Sequence, residues 1–96
     1  MIKRILNDIS RNIVFYLFNK ISVGYICIHI QKTSENFFFG NENSDLKSKI
    51  TVLDNSFFVE LLLNQGMGFA ESYMNGKWDT DNLFNILDIF AKNPHM

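Results

Sequence analysis

The chain has little of several features that mark particular protein classes. Its 96 residues include one cysteine and one proline. A single cysteine, Cys27, excludes an internal disulfide framework and suits a reducing compartment, so the cytoplasm is the expected location. Nine basic and ten acidic residues give a formal net charge of -1, with neither sign gathered into a long block. Binding to nucleic acid, which depends on a concentrated basic footprint, is therefore not expected.

The N-terminal segment also lacks a long apolar run. Its longest one covers residues 13–18, whereas a spanning helix needs about 20 apolar residues and a signal-peptide core about 7–15. What the chain does have is a hydrophobic content of 47%, with ten phenylalanines. This composition and length predict one folded domain, residues 1–96.

The first part of the chain predicts an amphipathic helix over residues 2–21. Apolar residues recur there at helical spacing, and the other face carries Lys3, Arg4, Arg11 and Lys20. Two interpretations remain open. The apolar stripe either packs on the domain, or it enters a bilayer surface with the basic residues toward anionic lipid.

The middle part, residues 23–54, predicts three short strands. Ile26, Ile28 and Ile30 alternate with Tyr25, Cys27 and His29, as in a half-buried strand. After a polar turn, "NFFFG" completes a hairpin, and "KITVL" follows a second polar loop as the third strand.

The last part, residues 56–93, predicts three helices. The first is expected to end at a left-handed cap at Gly66, and a short second helix at Asn75-Gly76. Asp79, Thr80 or Asp81 is expected to cap the third helix, which Asn93-Pro94 ends. Because the strands are grouped rather than alternating with helices, the fold class is α+β. The order indicates a small antiparallel sheet of about three strands packed against helices.

Few residues suggest chemistry. Gly66-Met67-Gly68 follows a helix rather than a strand and lacks the third glycine of a cofactor loop. Cys27 and His29 share one strand face, which would suit a metal pair or an activated thiol, but two residues do not make a zinc site. A plain half-buried strand face is the favoured interpretation.

Carboxylates and aromatic residues leave two questions open. Glu60, Glu71, Asp79 and Asp81 could supply a pair for acid and base catalysis, although the two aspartates are better explained as helix caps. Glu71 either makes a specific buried hydrogen bond or touches a ligand. An aromatic and thioether surface at Phe69, Tyr73, Met74 and Trp78 is either core or an apolar wall for an acyl chain.

The segment "GMGFAESYMNGKWDTDNL", residues 66–83, resembles a stretch in the N-terminal domain of cyclopropane-fatty-acyl-phospholipid synthases. These are S-adenosylmethionine-dependent lipid methyltransferases, and the stretch has the form G-x-[LM]-G-[LF]-x-E-[AS]-Y-M-[DN]-G-x-W-[DE]-x-x-x-L. Upstream, a hairpin ending in Phe39-Gly40, a strand at residues 50–54 and Phe57-Phe58 at a helix start keep the same order. The hairpin turn "KTSEN" departs from the Pro-Asp-Gly type of turn expected there.

The resemblance implies a domain similar to sterol-carrier-type lipid-binding modules, which engages the phospholipid acyl chain. In the full-length family, S-adenosylmethionine, bicarbonate and the catalytic residues belong to a larger C-terminal domain. No catalytic, cofactor-binding or metal-binding residue is therefore assigned to this chain, and no activity is expected of it alone. The candidate lipid or interdomain contacts are Phe57, Phe69, Glu71, Tyr73, Met74 and Trp78.

Two functional hypotheses follow. In the first, the chain is the non-catalytic, lipid-engaging part of such a synthase, cytoplasmic and peripheral to the inner membrane face, with a phospholipid acyl chain or the membrane surface as its partner. In the second, it is an interaction and scaffold module that docks a separately encoded methyltransferase domain, or a truncated-gene relic with no ligand. A truncated gene, a split gene and an excised piece would all present this sequence.

Overall fold

The computed structural model describes residues 2–96, apart from the side chains of residues 64–68. The described chain is an α+β fold, as predicted, in which a sheet packs against helices. The elements in order are α1 (Ile2–Phe18), β1 (Tyr25–Ile30), β2 (Glu35–Gly40), β3 (Lys47–Val52), α2 (Ser56–Met74), β4 (Trp78–Thr80) and α3 (Leu83–Ala91).

The sheet is mixed and has the strand order β2-β1-β3-β4. β1 and β2 form the predicted antiparallel hairpin, whereas β3 lies parallel to β1, with Ile28 opposite Ile50. The loop between β2 and β3 returns the chain to the starting end of β1, so both strands run the same way. The prediction of an antiparallel sheet is therefore wrong for the β1–β3 pair. Trp78–Thr80 adds a fourth strand, antiparallel to β3, where about three strands were predicted.

Alternation along β1 decides which face of the sheet is covered. Ile26, Ile28 and Ile30 are buried, while the intervening side chains are half-buried on the outer face. β2 ends at Gly40, whose φ is +98°. A Cβ at that position would collide with the backbone carbonyl oxygen of Gly24. Glycine is therefore required where the hairpin closes on the start of β1.

The helices and the inner face of the sheet enclose one core. Its largest fully buried side chains are Trp78, Phe57 and Phe58. Burying a side chain of this kind contributes about 1.5–3 kcal/mol relative to leaving it exposed. The Phe57 and Trp78 rings lie 5.9 Å apart between centroids, which joins the start of α2 to β4.

α2 is one continuous helix, so the predicted end at Gly66 is wrong. Glycine costs about 1 kcal/mol in a helix interior, and here packing outweighs that preference. Phe69, beyond the glycines, is buried and stacks on Trp78 with 4.2 Å between ring centroids. The predicted end at Asn75-Gly76 is confirmed, since Gly76 has a φ of +74° and donates its N–H to the Tyr73 carbonyl.

The start of α3 and the end of α1 also differ from the prediction. Asn82 caps α3, because its side chain accepts a hydrogen bond from the Asn85 N–H. Asp81 instead accepts hydrogen bonds from Ser48 Oγ and the Lys49 N–H, and so holds the chain against β3. α1 ends at Phe18 rather than at residue 21.

α1 buries only part of its apolar surface. Val14 and Phe18 enter the core, whereas the large aliphatic side chains before Val14 point away from the domain. We call these side chains the α1 stripe, and they are 44–77% exposed: Ile2, Ile5, Leu6, Ile9 and Ile13. None of the helices in the described part of the chain is long and apolar enough to cross a membrane.

Candidate functional site

An apolar cavity of about 600 Å³ lies among the three helices. α1 contributes Val14, Leu17 and Phe18, α2 contributes Leu61, Leu62 and Phe69, α3 contributes Leu87 and Phe90, and Met96 closes the C-terminal side. All nine side chains are hydrophobic. The cavity can therefore hold an apolar group, and the described residues offer it no side chain for acid, base or nucleophilic chemistry.

Helical spacing places these residues. Val14, Leu17 and Phe18 are at i, i+3 and i+4 of α1, and therefore share one face of the helix. Phe90 closes the cavity floor, with its ring centroid 5.0 Å from Phe69 and 5.7 Å from Phe18. The floor is thus a cluster of aromatic rings in contact, which fixes the shape of the cavity.

The cavity opens to the protein surface beside α3. Phe18 and Phe69 are buried, but Leu87 on the rim is 49% exposed. On α1, Leu17 follows Ile13 by four residues, so the α1 stripe continues directly into the cavity wall. The opening and the stripe together form one extended apolar surface on the helical side of the molecule.

The six predicted contact residues do not form one site. Phe57 and Trp78 are fully buried against the sheet, and Trp78 Nε1 donates a hydrogen bond to the Phe69 carbonyl oxygen at 3.0 Å. Of the six, Phe69 alone lines the cavity. A ligand bound beside Phe57 and Trp78, between the sheet and the helices, would have to displace the core, whereas the cavity lies between helices.

The other three predicted residues lie at the exposed end of α2. Glu71 is exposed, so the alternative in which it makes a buried hydrogen bond is wrong. Tyr73 is partly exposed and packs at 4.9 Å from the Trp78 ring, and Met74 is largely exposed. None of these three side chains lines the cavity.

Cys27 and His29 lie on the outer face of β1, away from the cavity. His29 Nδ1 is 2.7 Å from Asn36 Oδ1, which gives the imidazole a partner on the neighbouring strand. Burial raises the pKa of the Cys27 thiol, which disfavours the reactive thiolate. Within the described residues, no three His, Cys, Asp or Glu side chains are grouped so that they could hold a metal ion.

The proposed carboxylate pair is not formed around the cavity. Asp79 accepts a hydrogen bond from the Thr80 N–H, and Asp81 is bonded to β3. Glu60 has a buried carboxylate oxygen with no hydrogen-bond partner among the described residues. None of these carboxylates lines the cavity.

Most of the residues that line the cavity were not predicted as site residues, although the apolar stripe of the last helix was visible in the sequence. Leu87 and Phe90 belong to the i, i+4, i+7 stripe of the last helix that starts at Leu83, and such a stripe predicts burial without saying against which element. Only the relative placement of the helices turns three stripes into a cavity.

Comparisons of the chain with protein families, with curated proteins and with solved structures found no match.

Proposed function

We propose that this chain is the non-catalytic, lipid-engaging domain of a cyclopropane-fatty-acyl-phospholipid synthase-like methyltransferase. In this proposal it holds a phospholipid acyl chain while the α1 stripe contacts the membrane surface. The observation that carries the proposal is the apolar cavity of about 600 Å³ that opens beside Leu87. The resemblance of residues 66–83 to that family supports it independently.

The size and lining of the cavity favour an acyl chain over a polar ligand. Its volume falls within the range of about 300–1,000 Å³ that is usual for small-molecule sites. A hydrocarbon chain needs no hydrogen bonds, so the hydrophobic side chains that line the cavity among the described residues suit it. A polar ligand would lose its hydrogen bonds to water there without replacement, at a cost of about 1–3 kcal/mol for each group.

The α1 stripe supports the membrane part of the proposal. Five large aliphatic side chains lie on one face of α1, and Lys3, Arg4 and Arg11 lie on another. Amphipathic helices of this kind lie in the interface of anionic bilayers, with the apolar face in the acyl region. The basic residues are complementary in charge to anionic lipid. This complementarity favours a membrane surface over another protein as the partner of the stripe.

The exposed residues Leu87 and Phe84 of α3 provide a matched test of the cavity. Leu87→Glu places a carboxylate on the cavity rim, whereas Phe84→Glu places one on the same helix away from the cavity. We expect wild type and Phe84→Glu to take up cis-parinaric acid and to carry phospholipid in native mass spectrometry. Leu87→Glu should reduce uptake at least tenfold, because a charge in an apolar wall is strongly disfavoured.

Two results would contradict this function. Equal uptake by the two variants would show that the cavity is not the acyl site. Failure of the wild-type protein both to take up the probe and to sediment with vesicles would remove the lipid-engaging role altogether.

A second function, docking of a separately encoded methyltransferase domain, is favoured by the exposed end of α2. Glu71, Tyr73 and Met74 project there from the segment that resembles the synthase family. The substitution Met74→Asp separates the two functions. It should leave the uptake of cis-parinaric acid unchanged and, if the end of α2 docks a methyltransferase domain, weaken the binding of such a domain supplied separately.

A further inference from the structure

A second, polar cleft of about 970 Å³ lies toward the starts of α1 and α2. α1 lines it with Lys3, Arg4, Asp8 and Arg11, the turn between β1 and β2 contributes Lys32, and Asp54 precedes α2. Two separate parts of the chain therefore bring four basic side chains to one concave surface, which the segment before α2 completes. The formal charge of the whole protein is -1, so this concentration of positive charge is local.

The positive charge in the cleft is not neutralised within the domain. Asp54 is already engaged by the Ser56 N–H at 2.9 Å and by Lys77 Nζ at 3.2 Å. The described ion pairs are Lys77–Asp54 and Lys92–Asp88, and neither includes a basic residue of the cleft. Asp8 is the other acidic residue in the lining. The cleft therefore has an excess of positive charge that an anion would balance.

Arg11 points to the kind of anion. Its Nε atom is buried and has no hydrogen-bond partner among the described residues. Such a donor is uncommon in folded proteins. Because the protein itself covers Nε, an anion in the cleft would bind the other N–H groups of the Arg11 guanidinium. The guanidinium presents its donors in a planar fork that matches phosphate oxygens.

We propose that this cleft binds a phosphate group, and that on the membrane this is the phosphate of an anionic phospholipid headgroup. The headgroup assignment rests on the proposed lipid-engaging function, whereas the phosphate chemistry rests on the cleft itself. The α1 stripe faces away from the cleft side of the helix. When the stripe enters the acyl region, the cleft lies about 10 Å higher, one helix diameter, at the level of the headgroups.

The test compares single charge removals in the intact protein. Arg11→Gln and Lys32→Gln each remove one charge from the cleft, and Lys49→Gln removes one from the exposed outer face of β3. Sedimentation with phosphatidylglycerol vesicles should show about fivefold weaker binding for each cleft variant, which corresponds to about 1 kcal/mol per basic residue near an anionic surface. Lys49→Gln should stay within twofold of wild type. Lys32 lies in an exposed turn, so its loss leaves the fold intact.

Inorganic phosphate distinguishes the source of the anion. In wild type, millimolar phosphate should shift the amide resonances of residues 3–11 and 32–33 in an NMR titration, and Arg11→Gln should abolish those shifts. If phosphate produces them but the cleft variants bind vesicles as wild type does, the site takes a soluble phosphate and the headgroup assignment is overturned. If phosphate shifts no cleft resonance and the three variants bind vesicles alike, the whole proposal is overturned.

These outcomes are separable from those of the acyl cavity. Arg11→Gln should take up cis-parinaric acid as well as wild type does, because Arg11 is not part of the cavity lining. Failure of acyl uptake in the wild-type protein would remove the proposed function, whereas the phosphate titration would still decide whether the cleft binds phosphate.

Discussion

Asn93 shows how a single buried side chain can join distant parts of this chain. Its side-chain oxygen, Oδ1, accepts hydrogen bonds from the N–H groups of Ser22 at 2.9 Å and Val23 at 3.2 Å. Its amide nitrogen donates to the carbonyl oxygens of Val23 at 2.8 Å and Ile89 at 2.7 Å. The end of α3 is thereby bound to the segment that leads into β1.

Replacing Asn93 should therefore destabilise the whole domain. Asn93→Ala leaves four backbone groups without this partner, three of them part-buried and one buried, and a buried group left unpaired costs about 1–3 kcal/mol. We expect the free energy of unfolding to fall by about 2–4 kcal/mol in total, since some groups regain water. Chemical denaturation followed by the fluorescence of Trp78, the one tryptophan, measures the change.

Asn85→Ala is the matched control for this prediction. The Asn85 amide donates one solvent-accessible hydrogen bond to the Lys47 carbonyl oxygen at 2.9 Å. Its loss should cost less than about 1 kcal/mol, because water can replace the lost partner. Equal destabilisation by the two substitutions would show that burial of the Asn93 bonds is not what makes them important.

At the scale of elements, the start of α2 depends on the residue before its cap. Asn55 occupies the cap position but makes no side-chain capping hydrogen bond. The Asp54 carboxylate accepts from the Ser56 N–H instead, and Lys77 adds an ion pair. The hydrogen bond from Ser56, assisted by Lys77, lowers the pKa of Asp54 to about 2. The Leu53 and Asp54 N–H groups also bond to the Lys77 carbonyl, which holds this junction against the start of β4.

The lowered pKa predicts a specific pH dependence of stability. Because the pKa of Asp54 is lower in the folded protein than its ordinary 3.8, its stabilisation is present above pH 4 and is lost as the pH falls toward 2. The free energy of unfolding of Asp54→Asn should therefore fall less than that of wild type between pH 4 and pH 2. At pH 7 it should lower stability by less than about 1 kcal/mol, because the ion pair is exposed.

Denaturant titrations of wild type and Asp54→Asn at pH 2, 3, 4 and 7 test this account. The difference in unfolding free energy between the two proteins should shrink as the pH falls. A constant difference from pH 7 to pH 2 would contradict a stabilising role for the Asp54 carboxylate.

At the scale of the whole molecule, the two faces differ in character. The helical face carries the cavity and the α1 stripe, both of which are apolar. The outer face of the sheet mixes charged residues with one stacked pair, Tyr25 and Phe38, whose ring centroids are 6.1 Å apart. If the chain engages membranes as proposed, it must do so with the helical face.

This orientation is tested by a double substitution in the α1 stripe. Ile5→Gln with Ile9→Gln should leave the melting temperature nearly unchanged, because both side chains are about half exposed. Vesicle binding should fall at least tenfold, because each half-exposed isoleucine would add about 1 kcal/mol on entering the bilayer. Phe38→Gln is the control, because it removes an apolar side chain of similar exposure from the sheet face. It should bind vesicles as wild type does. Loss of binding in Phe38→Gln alone would reverse the proposed orientation.

Local patterns predicted much of the fold correctly. Alternation along residues 25–30 predicted β1 and its buried isoleucines, and the turn residues after it predicted the hairpin with β2. These features depend on neighbours a few residues apart. The parallel pairing of β1 with β3 and the addition of β4 depend on residues far apart in the chain. Backbone hydrogen bonds between distant strands do not require a particular residue pattern in either strand, so the sequence did not predict them.

The helices show the same division. Helix propensity alone predicted an interruption at Gly66, yet packing of Phe69 and Trp78 beyond it holds α2 in one piece. The stripe of α1 was recognised, but it proved exposed because α1 packs on the domain with the face that carries Val14 and Phe18. A stripe records that a face is apolar and does not record what covers it.

The sequence by itself determined the α+β class, the β1–β2 hairpin and the helical character of the segments flanking the sheet, because each depends on residue spacing or turn chemistry within a few residues. The tertiary structure alone decided the strand order, the burial of Phe57 and Trp78, the exposure of Glu71, the apolar cavity and the basic cleft. Each of these depends on how separate elements meet. A concave site made by three parts of a chain exists only once those parts are packed together.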